Sequence, residues 1–416
     1  MNLQNPALST DSNAGEGLLA GYKICDFTRV LSGPYCTRLL ADLGADVIKI
    51  ERPGEGDEVR YINPQMDPDA HDQSAYFART NAGKRSVAID FANPGAREVV
   101  LDLVRQADVV VENFSPGVMA KYKFDYESLR AIKPDLVYCS ISGFGQTGPL
   151  RSLQAYAHLI NAFSGMMDLD RGGSLAPRAS NLQAADVLAG AHAFGAICAA
   201  LLRKAKRGQG AYLDVSMLEC LVCADDVNFA ALLNGAPAER RPRIGMVVQP
   251  IGDRYVALQV GGASNMWARM VTAMSRPDLA NDQRFSTAQA RRANWPALLE
   301  LLDAWLKDFA SVDEALAVLG SARIPSVPMM LPEEIIAHPH MTQRQAFPVL
   351  SHPARPEGVR ITAAPFHVDG QPLIAPKTAP WRIGEHTVEV LKDVLGYQSD
   401  RIEKLQSLGV VAIPTS

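Results

Sequence analysis

The chain has 416 residues, of which 47% are hydrophobic and 21% are charged, a composition typical of a globular enzyme with a large buried core. Its 41 basic and 45 acidic side chains give a formal net charge of −4. Because no block of basic residues stands out, this balance argues against nucleic acid or an anionic membrane as a partner. The length favours two domains.

Residues 1–20 are polar and lack the apolar segment of a secretory signal, so we expect an N-terminal extension on a cytoplasmic protein. No apolar run satisfies our criterion for a membrane span, since Val187–Leu202 is short and interrupted by His192. The six cysteines and eight histidines show no disulfide or metal-ligand spacing. We therefore expect reduced thiols and no metal site.

Between residues 21 and 142, short aliphatic segments alternate with amphipathic ones. The predicted strands are Lys23–Phe27, Ala45–Ile50, Arg85–Asp90, Ala107–Val111 and Leu136–Ser142. The predicted helices between them begin at Pro34 and cover Pro94–Gln106 and Tyr126–Ile132. This alternation predicts an α/β fold with a parallel sheet covered on both faces.

The turn after the first predicted strand reads TRVLSGP and contains a single glycine, Gly33. Glu51 follows about twenty residues after that turn, where a ribose-binding acid would stand in a dinucleotide-binding fold. The glycine fingerprint that brings the backbone close to a pyrophosphate is absent, however. We therefore reject NAD as a cofactor.

Asp186 stands directly before Val187–Leu202, a segment that is apolar or small on nearly every face and predicts a buried helix. Lys204 and Arg207 mark the end of that helix, because cations favour the negative end of the helix dipole. Asp is among the best helix N-caps, so capping alone would explain its position. A functional carboxylate, kept ionised by the positive end of the dipole, is the alternative.

Beyond Met217 the pattern changes. The predicted elements are a helix at Leu218–Leu233, a strand at Gly252–Val260, helices at Asn265–Met274, Pro296–Phe309 and Val312–Leu319, a strand at Gly358–Ile361 and a helix at His386–Leu395. We predict a small domain over residues 245–326. The large domain then comprises residues 21–230 and 327–416.

Candidate residues for chemistry are sparse outside these elements. No GxSxG elbow is present, which argues against a serine nucleophile. Four basic residues, Arg52, Lys84, Arg85 and Lys121, lie near predicted strand ends and loops. Each alone is typical of a solvated surface charge, but together at one sheet edge they could hold a phosphorylated ligand.

Several segments in order resemble the family III CoA-transferases, which include formyl-CoA transferase, carnitine CoA-transferase and alpha-methylacyl-CoA racemase. They are DFTRVLSGPYCTRLLADLGADVIKIERPGEGDEVR, NAGKRSVAID, ADVVVENFSPG, SISGFGQTGP and RGQGAYLDVSM, followed in the tail by APFHVDG and GEHTVEVL. The resemblance implies a Rossmann-like large domain formed from both chain ends, a smaller α+β domain and an interlocked homodimer. Residues from about 231 to 322 match only loosely.

The resemblance also implies residue roles. Asp186 matches the nucleophilic aspartate of the family. Val30, Leu31 and Ser32 match the loop that faces the thioester. The residues that match positions holding CoA are Arg52, Lys84, Asn113, Phe114 and Lys121. A CoA thioester would then be a substrate, and no permanently bound cofactor is expected.

Two departures from formyl-CoA transferase bear on the substrate. That enzyme has glutamine where Leu31 stands and an acidic residue where Ala157 stands, both near its reacting centre. Its glycine-rich loop has no clear counterpart, unless residues 261–264 (GGAS) or the IGMVVQP segment replace it. We therefore expect transfer from a succinyl-CoA-like donor to a small carboxylic or dicarboxylic acid through an aspartyl anhydride and thioester.

A second carboxylate on the acceptor would be met by Arg29, Arg60 or Arg178. Three alternatives remain: formyl-CoA:oxalate transfer, 2-methylacyl-CoA racemisation or epimerisation, and binding of CoA without catalysis. The racemase has a His–Asp pair where this chain has Tyr156–Ala157, and His158 follows directly.

Overall fold

The computed structural model describes residues 17–170, 176–179, 181–225, 228–236, 245–260, 265–373 and 376–414. The chain divides into two compact units. The large unit comprises Met1–Met166, Ala179–Ala236 and His340–Ser416, and the small unit comprises Met167–Arg178 and Pro237–Pro339. The described residues before Met166 and after His340 thus belong to the same large unit.

The strands of the described residues are β1 (Lys23–Asp26), β2 (Asp46–Glu51), β3 (Arg85–Ile89), β4 (Val109–Glu112), β5 (Val137–Ser142), β6 (Ala211–Ser216), β7 (Met246–Ile251), β8 (Arg254–Gln259), β9 (Ser326–Pro328), β10 (Val349–His352), β11 (Arg355–Arg360), β12 (His367–Val368), β13 (Gln371–Pro372) and β14 (Val411–Ala412). The five strands predicted between residues 21 and 142 are all present, with ends within two residues of the predicted ones.

The helices are α1 (Ser32–Asp42), α2 (Ala75–Asn81), α3 (Ala96–Gln106), α4 (Val118–Lys121), α5 (Tyr126–Arg130), α6 (Ala157–Phe163), α7 (Met166–Asp170), α8 (Ala184–Arg207), α9 (Met217–Val222), α10 (Asn228–Leu233), α11 (Met266–Ala273), α12 (Ala288–Ala293), α13 (Trp295–Leu306), α14 (Val312–Ser321), α15 (Pro332–Ala337), α16 (Pro339–Gln343), α17 (Thr387–Glu389) and α18 (Ser399–Ser407). Short 3-10 helices cover Glu58–Tyr61 and Pro277–Ala280, and a π-helical turn covers Val390–Val394.

Seven strands of the large unit form one sheet in the order β14-β3-β2-β1-β4-β5-β6. Strands β1 to β6 pair in parallel, and β14 adds antiparallel to β3. The central order 3-2-1-4-5-6 is that of doubly wound α/β sheets, which bind ligands at the carboxyl ends of the strands where the order reverses. Here that position lies between β1 and β4.

Each face of this sheet is buried by helices, as the aliphatic strands predict. On one face, Ile24 and Val109 pack with residues of α1, α8 and α9. On the other, Cys25 and Val110 pack with residues of α3, the π-helical turn and α18. Leu19 belongs to the first core, so the end of the predicted N-terminal extension is part of the large unit.

Helix α8 is longer than predicted and begins at Ala184, with Gln183 as its N-cap, so Asp186 lies in the first turn and does not cap the helix. By length and composition it could cross a membrane, which corrects our expectation that no segment is long enough. One face carries buried residues such as Ala189 and Ile197, whereas Leu202 on another face is exposed. A core helix of a folded domain can have the same length and the same apolar composition.

In the small unit, β7, β8 and β9 form an antiparallel sheet. A separate core joins strand residues such as Val256 to residues of α11, α13 and α14. The small unit differs from the sequence analysis in two respects. Strand β7 was not predicted, and the pairing of β9 with β8 keeps the chain in the small unit as far as Pro339, beyond the predicted boundary at residue 326.

The predicted helices at Leu218–Leu233 and His386–Leu395 are also divided. The first contains α9 and α10, with residues 226–227 between them outside the described residues. The second is α17 followed directly by the π-helical turn. The GGAS segment, considered as a replacement for the glycine-rich loop, lies outside the described residues. Ile244, the first residue of the IGMVVQP segment, also lies outside the described residues. Gly245 directly precedes β7, and the other residues of the segment form part of that strand.

Candidate active site

The loop between β1 and α1 is tied to the end of β4 across the crevice of the large sheet. The Arg29 backbone N–H donates to Asn113 Oδ1 at 2.8 Å, and Asn113 Nδ2 donates to the Arg29 carbonyl at 2.8 Å. Asn113 Nδ2 also lies 3.3 Å from Ser32 Oγ. Asn113 therefore holds the loop in place, in addition to any contact with a ligand.

Val30 in this loop has a φ of +67°. A β-branched residue with a left-handed backbone is a genuine outlier and costs about 1–3 kcal/mol. Its backbone N–H donates to Asp57 Oδ1 at 3.1 Å, which stabilises the conformation. The strained turn leads directly into α1, whose first residue is Ser32.

Asp186 receives hydrogen bonds from both the backbone N–H and the side-chain hydroxyl of Ser32. The carboxylate thus lies between the N-terminal turns of α1 and α8, where free backbone N–H groups and two helix dipoles favour negative charge. Burial nevertheless raises the pKa of Asp186 to about 6, against the opposing effects of Ser32 and of the charge on His158.

This raised pKa differs from the expectation that the carboxylate of Asp186 is kept ionised by its place at a helix start. The desolvation of a partly buried carboxylate outweighs the hydrogen bonds from Ser32 and the charge of His158 at this site. The group is still mainly ionised at neutral pH, and it carries less solvation to lose before attacking an electrophile. A pKa raised in a cleft is also typical of functional carboxylates.

Helices α1 and α8 approach each other closely one turn beyond Asp186, at Gly190. A Cβ at Gly190 would lie 2.6 Å from the Ser32 carbonyl oxygen and 3.0 Å from Tyr35 Cδ1. Only glycine fits this contact without movement of the helices. Gly190 therefore sets the separation at which Ser32 meets Asp186.

Beneath the loop, three ion pairs are buried side by side. Their nitrogen–oxygen distances are 2.9 Å for Lys84–Asp26, 3.0 Å for Lys49–Asp57 and 2.6 Å for Arg60–Glu51. Although burial by itself raises the pKa of Glu51, the Arg60 guanidinium brings it down to about 2. Burial lowers the pKa of Lys84 to about 8 against the effect of Asp26.

These pairs correct two interpretations of the sequence. Lys84 is only 3% exposed and its ammonium also contacts Thr37 and Asn81, so it is not available to a CoA phosphate. Arg60 is fully buried against Glu51, so it cannot meet an acceptor carboxylate. The same pairing gives Glu51 a structural role, because both of its carboxylate oxygens accept hydrogen bonds from Arg60.

Several other predicted ligand-binding residues are exposed or half-buried at the surface of the large unit. Arg52 and Lys121 are exposed after β2 and β4, and Arg52 pairs with Glu55 at 2.9 Å. The exposed Arg29 has its Cζ 5.1 Å from the centre of the half-buried Phe114 ring. Together these groups offer cations and an aromatic ring at the carboxyl edge of the sheet.

The side chain of Leu31 is buried, so only the backbone of this residue can face a thioester. Arg178 is exposed and belongs to the small unit. Ala157 is buried and Tyr156 exposed, whereas the exposed His158 acts electrostatically on Asp186.

The sequence pattern did not single out four residues that shape this site: Asp57, Tyr76, Gln183 and Gly190. Tyr76 Oη donates to Gln183 Oε1 at 2.9 Å, joining α2 to the start of α8. Of these four, only Asp57 could have been found from the sequence, because it is an acidic residue in the PGEGDEVR segment that carries the family resemblance. Within the described part of the chain, no group of three or more His, Cys, Asp or Glu residues could hold a metal ion.

Comparison with known proteins decides the family. Residues 19–387 match the sequence model described as CoA-transferase family III. The chain belongs to this family. It is an enzyme of the CoA-transferase type, and CoA transfer between an acyl-CoA and a carboxylic acid is the activity that its relatives support.

The relatives differ in the acids that their names specify. A succinate–glutarate CoA-transferase of Agrobacterium fabrum is 33% identical, over 90% of this chain and 95% of the relative. A formyl-CoA:oxalate CoA-transferase of Streptomyces avermitilis is 31% identical, over 94% of this chain and 99% of the relative. The crystal structure of a CAIB/BAIF family protein from Brucella suis superimposes with a TM-score of 0.79 at 33% identity, covering 91% of this chain and all of that one.

Proposed function

We propose that this CoA-transferase moves CoA from succinyl-CoA, or a similar short acyl-CoA, to a small dicarboxylic acid, with Asp186 as the nucleophile. The observation that carries the proposal is the ionisable Asp186 carboxylate held against the Ser32 amide in the crevice between β1 and β4. The name of the Agrobacterium relative, which specifies succinate and glutarate, supports the choice of acids.

In the first half of the reaction, an Asp186 oxygen attacks the thioester carbon, the C–S bond breaks and CoA leaves as the thiolate. The product is a mixed anhydride between Asp186 and the donor acyl group. The thiolate then attacks the aspartyl carbonyl and releases the donor as a free carboxylate. Asp186 is left as its CoA thioester, so one hard exchange is divided into easier steps.

In the second half, the acceptor carboxylate attacks the aspartyl thioester and displaces the thiolate, forming a second anhydride. The thiolate attacks the acceptor carbonyl, which forms the new acyl-CoA and regenerates the Asp186 carboxylate. Every tetrahedral stage carries an oxyanion. We propose that the Ser32 N–H and hydroxyl, which bond to the Asp186 carboxylate, also stabilise this oxyanion; one such donor is worth about 3–4 kcal/mol.

For the CoA moiety, we propose that Arg52 and Lys121 meet its phosphates and that Phe114 with Arg29 contacts its adenine. All four lie on the loops and the short helix that follow β1, β2 and β4, at the edge of the sheet where Asp186 lies. Asn113 keeps this edge assembled through its bonds to the Arg29 backbone. The exposed cations suit charge-assisted contacts with phosphate oxygens.

We also propose that the active enzyme is an interlocked cytoplasmic homodimer. Large apolar side chains on or beside α6 and α8 are exposed in the single chain: Leu159, Phe163, Leu182 and Leu202, with 54%, 54%, 73% and 56% of their surfaces accessible. Large exposed apolar side chains in one region of the chain are typical of a protein–protein interface. Sedimentation of an active monomer of 45.0 kDa would contradict this proposal.

Racemisation is the second candidate, because His158 is the histidine whose charge acts on Asp186. The test incubates the enzyme with a panel of acyl-CoAs and free acids in deuterated water and measures the thioesters by mass spectrometry. New CoA thioesters without deuterium at the α-carbon support transfer, and deuterium uptake without new thioesters supports racemisation. Faster turnover of formyl-CoA with oxalate than of any succinyl-CoA pair would reverse the substrate assignment.

Hydroxylamine added during turnover tests the nucleophile. It should convert the activated aspartyl carbonyl to a hydroxamate and change the mass of the peptide that contains Asp186. The Asp186→Asn variant should bind CoA, form no adduct and transfer no CoA, since an amide cannot form the anhydride. An adduct on another acidic residue, or near wild-type transfer by this variant, would refute the role of Asp186.

A further inference from the structure

Helix α2 reaches the start of α8 through one side chain. Tyr76 Oη donates to Gln183 Oε1 at 2.9 Å, and Gln183 is the N-cap of the helix that carries Asp186 in its first turn. Tyr76 is half-buried, and the charge of Asp186 acts on its hydroxyl. Tyr76 therefore lies on the border of the space in front of the nucleophile.

Arg79 lies one turn along α2, on the same face as Tyr76. Its Cζ lies 5.1 Å from the centre of the Tyr76 ring, and its guanidinium is hydrogen-bonded to the Tyr76 hydroxyl. The positive charge also acts on Tyr35 of α1, which places the guanidinium between α1 and α2. Arg79 is thus a neighbour of the site without an ion pair to Asp186 among the described residues.

The charge of Arg79 is not neutralised within the described residues, although its side chain is half-buried. The arginines around it have partners: Arg38 pairs with Asp42 at 2.7 Å and Arg60 with Glu51 at 2.6 Å. A half-buried guanidinium without a carboxylate loses hydration, and its contact with the neutral Tyr76 side chain leaves its charge unpaired. Its planar fork of donors fits a carboxylate in two parallel hydrogen bonds.

We propose that Arg79 is the residue that binds the distal carboxylate of a dicarboxylate acceptor while the proximal carboxylate attacks at Asp186. The inference rests on the proposed CoA transfer and names the group that selects the acceptor. Tyr76 spans the interval between the two charges and lines the carbon chain of the acid. A monocarboxylic acid would leave Arg79 unpaired and would be a poor acceptor.

The test compares a five-carbon dicarboxylate with a five-carbon monocarboxylate as acceptors, with succinyl-CoA as donor. In Arg79→Gln, the ratio of kcat/KM for the diacid to kcat/KM for the monoacid should fall by roughly 10- to 100-fold, as expected for a lost hydrogen bond to a charged group. Arg79→Lys, which keeps the charge but not the fork, should lie between this variant and the wild type. Circular dichroism and CoA binding show that each variant is folded.

Arg29→Gln is the matched control, because Arg29 is the exposed arginine beside Phe114 at the same sheet edge. It should lower kcat/KM for both acceptors by the same factor and leave their ratio unchanged. An equal loss for both acids in Arg79→Gln would overturn the inference while the proposed transfer stands. A wild-type enzyme that transfers CoA to neither acid would overturn the proposed function itself.

Discussion

The contact between α1 and α8 at Gly190 offers a sharp test of how the site is positioned. In Gly190→Ala, the new methyl group would lie 2.6 Å from the Ser32 carbonyl oxygen, where ordinary contacts begin at 3.4 Å. It would also meet Tyr35 Cδ1 at 3.0 Å and the Cys36 backbone nitrogen at 3.4 Å. Because two of the three atoms are backbone, the helices themselves must move apart, by about 0.8 Å at the closest contact.

Two effects on stability oppose each other. Overpacking of this kind costs about 1–3 kcal/mol, whereas replacing glycine by alanine inside a helix returns about 1 kcal/mol. The free energy of unfolding should therefore fall by only about 0–2 kcal/mol. Activity should respond far more, since a displacement near 1 Å at the reacting groups costs about 10²-fold in rate.

The assay measures CoA transfer together with urea denaturation of the same preparation. We expect kcat to fall by about 100-fold in Gly190→Ala while the protein stays folded and binds CoA, because Ser32 moves away from Asp186. Gly195→Ala in the same helix is the matched control, since a Cβ at Gly195 meets nothing within 4 Å. That variant should be more stable by about 0.5–1 kcal/mol and fully active. Near wild-type transfer by Gly190→Ala would refute the positioning argument.

Three further predictions concern the charged groups of the site. Transfer should decline tenfold per pH unit below about pH 6, because protonated Asp186 is not a nucleophile, and a flat rate profile between pH 4 and 7 would contradict this. Since burial raises the folded-state pKa of Asp186 above its unfolded value, its ionisation destabilises the fold as pH rises through 6. Asp186→Asn should therefore be more stable than the wild type by about 1–3 kcal/mol at pH 8, with no such gain at pH 4, in urea titrations at the two pH values. Asp57→Asn leaves the Lys49 ammonium buried without its carboxylate and should lose about 3–5 kcal/mol on chemical denaturation, whereas a loss below about 1 kcal/mol would show that the pair is dispensable.

Much of the large sheet could be predicted from local pattern. Strands such as Leu136–Ser142 are aliphatic on both faces because both faces are buried, and this signal appears within a few residues of sequence. The strand β7 was missed because Met246–Ile251 alternates weakly and follows a polar, proline-containing segment. The strand β9 was not predicted for a related reason, since it has three residues and is defined only by its pairing with β8.

Some residues of the candidate site could be predicted from the sequence and others could not, for reasons that differ from residue to residue. Asp186 stands out because a lone carboxylate before a long apolar segment is unusual in any fold. Lys84 and Arg60 were misassigned, since a basic residue beside a strand end is as compatible with a ligand contact as with a buried ion pair. Arg79 was not considered at all, because its position near Tyr76 and Tyr35 depends on how two helices pack.

By itself, the sequence determined the alternation of strands and helices, the placement of Asp186 at a helix start and the resemblance to the family. These follow from hydrophobic periodicity and from residues close together in the chain. The tertiary structure alone decided which charges are neutralised and which remain open to a ligand. The partners of Lys84 and Arg85 include Asp26 and Glu389, 58 and 304 residues away, and no local pattern specifies a partner at such separations. Burial then determines the role of each charge. A lysine ammonium at the surface can bind a phosphate, whereas the same group in the interior must pair with a carboxylate.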